Sequence, residues 1–415
     1  MSASPDLIER SGDLKRELLA FAQEPRFERA YRRALRERFG PFDLPDEAEF
    51  ANFLDHFILQ RRLKDGRTVV EQFVAERPDL PEEEREMLLG WRDVVEGIFE
   101  VERLEDETLV VSNLVDELTY RVRSNAGRGV LARMKPGSFL ITRIVPVADE
   151  WLLSGISSVL PAADHQYAYQ AAAKLATQHP ALVFRNPEKL ARGWELQAEE
   201  RRHFVSFFGS DLVVLPGSEL AERMAAYAHF RMHEERDSDG RTAAEYYREK
   251  YGIEPPVLDF GLPTDLCEAD TVGVVYDEVE GLNFYANFGL VEETFAAPEL
   301  ADDPVHREAV LTYLKEPSIS PLPFRRLATR DPERASQVFR RVLGRPRFSW
   351  ERNGEALLKR HKASHFEQPP LPAVTPLNDA QTRAQLAAGD DTGTRPARRR
   401  LRRRRRTAPG RRRPR

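Results

Sequence analysis

One cysteine, Cys267, stands in 415 residues, so no internal disulfide can form and the paired thiolates of a structural zinc site are missing. No apolar run approaches the roughly 20 residues that a bilayer-spanning helix needs. The N-terminus passes from Met-Ser-Ala-Ser-Pro-Asp straight into acidic, helix-like sequence, without the apolar core of a secretory signal. These absences lead to the expectation of a cytoplasmic protein with no membrane contact. Also missing are a Gly-x-x-x-x-Gly-Lys phosphate loop, a Gly-x-Gly-x-x-Gly fingerprint and a Gly-x-Ser-x-Gly elbow. The reading therefore leans away from an enzyme and implies no cofactor. Cys267 lies between Leu266 and Glu268 in an acidic stretch, which disfavours the thiolate, and it reads as a structural thiol. Residues 367–415 hold no aromatic side chain, which speaks against base stacking by that segment.

What is present begins with a hydrophobic fraction of 41%, enough to build a sizeable core in two to three domains. The net charge of -5 hides a strong asymmetry: residues 395–415 carry 13 arginines and no acid, so the other 394 residues hold 50 basic against 68 acidic groups. Within the body, residues 251–306 contain 13 acids and no Lys or Arg, whereas residues 321–365 contain 12 Lys or Arg against 4 acids. An acidic lobe precedes a basic one.

Periodicity gives an α+β fold. Residues 1–97 read as a helical region, with apolar positions at helical spacing (Leu14, Leu18, Phe21; Phe50, Phe53, Leu54, Phe57) and a Thr68-x-x-Glu71 capping box. Pro81 and the three glutamates after it open a helix expected to run through Met87, Trp91, Val94 and Ile98. Alternation then takes over, and about five short strands with close turns predict a small β-barrel over residues 98–160. Residues 161–366 read as a mixed helix and strand region containing the acidic and basic lobes. Within it, Val272–Tyr276 is a strand, and Asp331-Pro332 starts a helix that Gly344 ends. The helix from about Glu351 to Lys362 is expected to be the last, and residues 367–415 to be a disordered tail rich in proline and arginine.

The strand-rich stretch 87–156 resembles a segment of uncharacterised bacterial proteins that often end in a SEC-C zinc motif. The residues that carry the likeness are Leu88, Trp91, Phe99-Glu100-Val101, Pro136-Gly137, Arg143-Ile144-Val145-Pro146 and Leu153-Ser154-Gly155. The cysteines of that zinc motif are missing here, so no zinc-dependent role is carried over. Residues 272–365 resemble a second segment of bacterial proteins without an assigned activity, through Val-Tyr-Asp-Glu-Val-Glu-Gly-Leu-Asn-Phe-Tyr and Ser-Ile-Ser-Pro-Leu-Pro-Phe-Arg-Arg-Leu.

Candidate contact residues are identified by charge. The guanidinium groups of Arg398, Arg399, Arg400, Arg402, Arg403, Arg404, Arg405 and Arg406 would attract a polyphosphate by counterion release, whatever its base sequence. The alternative for the tail is a solvated extension that docks on the chain's own acidic body. In the body, Tyr120, Arg121, Arg123, Arg128, Arg133 and Lys135 form the best basic cluster, unless Tyr120 belongs to the core and the arginines to a solvated turn. The partners implied are thus nucleic acid, bound non-specifically, or another protein. A second function class is a metal-dependent hydrolase. His229 and His233 have the i, i+4 spacing of helical zinc sites with Glu234 beside them, although Phe230 stands where the catalytic glutamate of that motif belongs. The acids Asp277, Glu278, Glu280, Glu292 and Glu293 offer oxygen ligands for a divalent cation, or serve instead as electrostatic partners of the basic lobe.

Overall fold

The computed structural model describes residues 5–392 apart from 41–45, 126, 238, 256–259 and 368. Five helices open the chain: α1 (Pro5–Ala22), α2 (Glu28–Phe39), α3 (Glu47–Leu59), α4 (Val69–Ala75) and α5 (Glu82–Gly90). Capping boxes start two of them, with Asp46 and Glu49 at α3 and the expected Thr68 and Glu71 at α4, each pair satisfying backbone N–H groups that the first turn leaves free. Their apolar faces, including Leu14, Leu18, Phe57, Val70 and Trp91, form a core that also takes Val145, Val147 and Leu152 from the strands next in the chain.

Those strands are β1 (Val95–Glu105), β2 (Thr108–Asn113), β3 (Thr119–Arg123), β4 (Phe139–Val147) and β5 (Glu150–Leu160), with a one-turn helix α6 (Arg128–Leu131) after β3. The ladder runs β1-β2-β3-β5-β4 and closes where β4 returns to β1. All pairs are antiparallel except β3 with β5, where Val122 faces Trp151. Phe99, Val101, Leu109, Val111, Tyr120, Val122 and Ile144 fill one face of this sheet. Ile98 and Phe139 turn to the other and meet Ala168, Ala172 and Ala176 of α7 (His165–Gln178). Burial on both faces is why the helix expected to reach Ile98 ends at Gly90 instead. The run Val94, Val95, Ile98, Phe99 mimics i, i+4 spacing while it is a strand buried on two sides.

After α7 come α8 (Pro180–Val183), α9 (Pro187–Phe208), β6 (Leu212–Leu215), α10 (Gly217–His233), α11 (Ala243–Tyr251) and α12 (Thr264–Glu268). β7 (Val272–Asp277) and β8 (Gly281–Ala286) complete an antiparallel sheet of order β6-β7-β8. One face of it, through Val272, Val274 and Tyr276, packs on Phe204, Leu220, Met224 and Tyr227. The other carries Leu212, Val275 and Tyr285 into a second core. That core is closed by α13 (Phe288–Ala296), α14 (Pro304–Lys315), α15 (Leu322–Arg330), α16 (Pro332–Leu343) and α17 (Trp350–His361). Gly273 is required there, since a Cβ would sit 2.6 Å from the Phe288 ring.

The chain does not become irregular at residue 367. Residues 369–377 lie along α9, where the Ala373 backbone N–H donates to Gln197 Oε1 (2.6 Å), and α18 (Asp379–Thr392) packs on α7. Gln381, fully buried, donates through Nε2 to the Leu114 carbonyl at 2.6 Å. Prolines and polar residues suggested disorder, yet Leu371 and Leu377 find apolar partners that only the fold supplies. Residues 393–415, with the arginine run, lie outside the described residues. Among the described residues, no helix is long and apolar enough to cross a membrane.

Candidate functional site

The α16–α17 hairpin is built by local signals. Asp331 accepts from the Glu333 and Arg334 backbone N–H groups, and Pro332 occupies the first turn, where its missing donor costs nothing. Gly344, at φ +63, ends α16 in the left-handed conformation. The link to α17 is pinned by Phe348, which is buried beside Phe339, and by Arg340 Nε donating to the Phe348 carbonyl at 2.8 Å. Trp350 then stacks on Phe339 with ring centroids 5.2 Å apart.

This hairpin encloses a groove of about 680 Å³, floored by Phe348, Ala356 and Leu357 and rimmed by Arg345, Arg347 and Arg360. The three rim arginines are exposed and have no carboxylate partner among the described residues. Every other arginine of the basic lobe except Arg352 does. Arg325 meets Glu355 (2.7 Å), Arg326 meets Asp211 (2.5 Å) and Asp277 (3.6 Å), and Arg330 meets Glu292 (2.7 Å). Arg334 meets Asp331 (3.3 Å), Arg340 meets Glu333 (2.9 Å) and Arg341 meets Asp302 (3.5 Å). The positive field at the groove acts on neighbouring His361. Burial first, then Arg360, Lys362, Lys315 and Arg345, push its imidazole below the usual histidine value. Unpaired guanidinium groups over an apolar floor suit a phosphate or carboxylate attached to a flat or apolar body.

The sequence-derived candidates separate into different places. Arg121 and Arg123 are spent on acids: Arg121 reaches Glu105 (2.6 Å) and Glu150 (3.4 Å), and Arg123 Nε donates to Glu150 at 2.6 Å. Tyr120 is a core residue, edge-on to Phe99 and Trp151, with its hydroxyl donating to Asp116 at 2.7 Å. Arg398, Arg399, Arg400, Arg402, Arg403, Arg404, Arg405 and Arg406 lie outside the described residues. His229 and His233 lie side by side on the exposed side of α10, their rings tilted by 38° with centroids 4.8 Å apart, and His229 Nδ1 lies 3.1 Å from Glu234. Among the described residues, no group of three His, Cys, Asp or Glu side chains is placed to hold a metal ion. The acids of residues 277–293 disperse: Asp277 and Glu292 to Arg326 and Arg330, Glu278 to Arg201 (3.7 Å), Glu293 to His306 (3.3 Å). The carboxyl of Glu280 is pushed up by burial.

Sequence reasoning missed α14 and α15, although Asp303-Pro304 repeats the Asp-Pro start of α16 and could have marked α14. It also did not single out Arg345, Arg347 and Arg360 from the other basic residues, since what distinguishes them is the lack of a partner together with a place on the groove rim.

Residues 27–181 match a family of unknown function (DUF7986). That segment spans α2 through α7, including the closed sheet, and the groove lies outside it. No curated protein and no solved structure matches the chain.

Proposed function

We propose that this is a non-enzymatic binding protein for polyanions, nucleic acid first, and that the α16–α17 groove is its contact surface. The supporting observation is that Arg345, Arg347 and Arg360 stand unpaired around one groove while six of their neighbours are bound to acids. Unpaired surface arginines release counterions from a phosphate backbone without first breaking an internal salt bridge. In this reading the arginine run at 395–415 adds salt-sensitive attraction, the closed sheet over 98–160 is a scaffold, and the site of action is the bacterial cytoplasm.

The test is fluorescence anisotropy of labelled single-stranded RNA and duplex DNA across a salt series. Full-length protein, a chain ending at Thr392, and that shorter chain carrying Arg345→Glu, Arg347→Glu and Arg360→Glu are compared. The shorter chain is expected to bind, and the three charge reversals to flatten its log–log salt slope on duplex DNA by roughly 2–3. Binding that disappears entirely with residues 393–415 would sink the groove reading and leave only an electrostatic anchor.

A further inference from the structure

Sharing no residue with that groove, a pocket of about 300 Å³ is surrounded by α1, α3, β4 and β5, and its walls include Leu19, Leu54, Val145 and Leu152. Its polar end is assembled from three distant elements: Lys15 of α1, Asp55 of α3 and Ser154 of β5. Lys15 Nζ donates to Asp55 and reaches Ser154 Oγ at 3.4 Å, while Ser154 Oγ donates to the Asp55 carboxylate at 3.0 Å. A bulge aims Ser154 there. The β4–β5 register jumps from Ile141 opposite Ser158 to Arg143 opposite Ser154, and Gly155 takes φ +72. That left-handed φ favours glycine, and a Cβ there would also push Asn52 Oδ1, 2.4 Å away, aside.

Charge and hydrogen bonding at this end are unbalanced in one direction. Asp55, 3% exposed, faces two cations, Lys15 and the equally buried Arg143, whose Nε is 3.9 Å from Asp55 Oδ2. The next acid, Glu96, lies 4.0 Å from Arg143 and is more than half exposed, so water screens it. Donors are also in excess. Arg143 uses Nη1 on the Asn52 carbonyl and Nη2 on Gln60, but its Nε has no hydrogen-bond partner. The indole Nε1 of Trp91, a pocket-lining residue only 2% exposed, has none either. Buried donors are rarely left unpaired, because each gives up its hydrogen bonds to water with nothing in return.

We infer that this pocket binds a small monocarboxylate with a branched apolar tail: the carboxylate takes up the spare donors of Lys15 and Trp91 against the surplus positive charge, and the tail lies on the leucine and valine walls. The volume is at the lower end of small-molecule sites, which favours a small ligand.

Calorimetric titration of the full-length protein with sodium 3-methylbutanoate, and with the matching neutral amide, tests the inference. Saturable binding of one acid per chain is expected, with affinity at least about tenfold weaker for the amide and for Lys15→Met, the loss of one charge-assisted hydrogen bond. Trp91→Phe, which keeps an aromatic side chain but removes the N–H with one of the two fused rings, should also weaken the acid, and it carries the test if Lys15→Met does not fold. Tyr167→Ser, at an exposed position that lines neither this pocket nor the groove, should leave this affinity unchanged. The inference is overturned by the absence of saturation up to about 10 mM acid. Equal affinity for acid and amide, or full affinity in the folded variants, overturns it too.

Discussion

Lys362 closes the C-terminus of α17 with no exposed surface, its ammonium donating to the Glu316 carbonyl. Burial pushes its pKa down to about 8, against the nearby Glu316 carboxylate, which acts in the opposite sense. Below pH 8 the folded chain carries the cost of a buried charge. Between about 8 and the ordinary lysine value of 10.5 the unfolded chain holds the proton and the folded chain does not. Stability contributed by this group therefore rises with pH across that window, by at most about 1.4 kcal/mol per pH unit. Urea unfolding of wild type and Lys362→Met at pH 7, 8, 9 and 10 should show wild type gaining on the variant as pH increases. A constant difference would mean that Lys362 keeps its proton in the fold. Nothing in the sequence Arg-His-Lys-Ala singles this lysine out, because its burial is set by the α14 end that covers it.

The elements themselves were largely legible. Capping boxes and Asp-Pro starts placed α4 and α16, and Gly344 marked where α16 ends. Two-sided burial is what defeated the reading at β1, and proline content is what defeated it at α18. The reciprocal hydrogen bonds between Asn378 and Gln381 start α18, Gln381 ties it to the Leu114 carbonyl, and Gln385 Nε2 donates to Thr177 Oγ1 of α7 at 3.3 Å. Two deletions separate the contribution of α18 from that of residues 393–415. A chain ending at Thr392 should melt at the wild-type temperature. A chain ending at Glu367 should lose at least about 3 kcal/mol, since Leu371 and Leu377 leave the apolar cluster that holds α7 and the buried Ala384 is lost with them. Equal melting temperatures for the two would show that α18 adds nothing to the stability of the fold.

Across the whole molecule, the segregated charge is used inside the fold as much as on its surface. Three bridges, Arg326 to Asp277, Arg330 to Glu292 and Arg341 to Asp302, tie the basic segment to the acidic one before it. Asp211 joins both sides of the β6–β8 sheet, taking Arg201 of α9 at 2.6 Å and Arg326 of α15 at 2.5 Å. Burial would raise its carboxyl, but the two arginines hold it below the ordinary aspartate value. Its contribution is therefore complete above the unfolded aspartate pKa, roughly 3.9, and fades as pH falls through the lower, folded value. Asp211→Asn should cost about 1.5–3 kcal/mol at pH 7, as befits hydrogen bonds to charged groups. Chemical denaturation at pH 7 and pH 3 should show that cost shrinking in acid, whereas a cost independent of pH would assign it to packing. The sequence by itself determined the α+β composition, most helix starts and the alternation of charge, because caps, periodicity and net charge are local quantities. The tertiary structure decided which arginines are paired and which are free, and it brought Lys15, Asp55 and Ser154, as many as 139 positions apart, into one pocket. An element's pattern reports which face it buries, whereas an ion pair or a pocket depends on which faces meet.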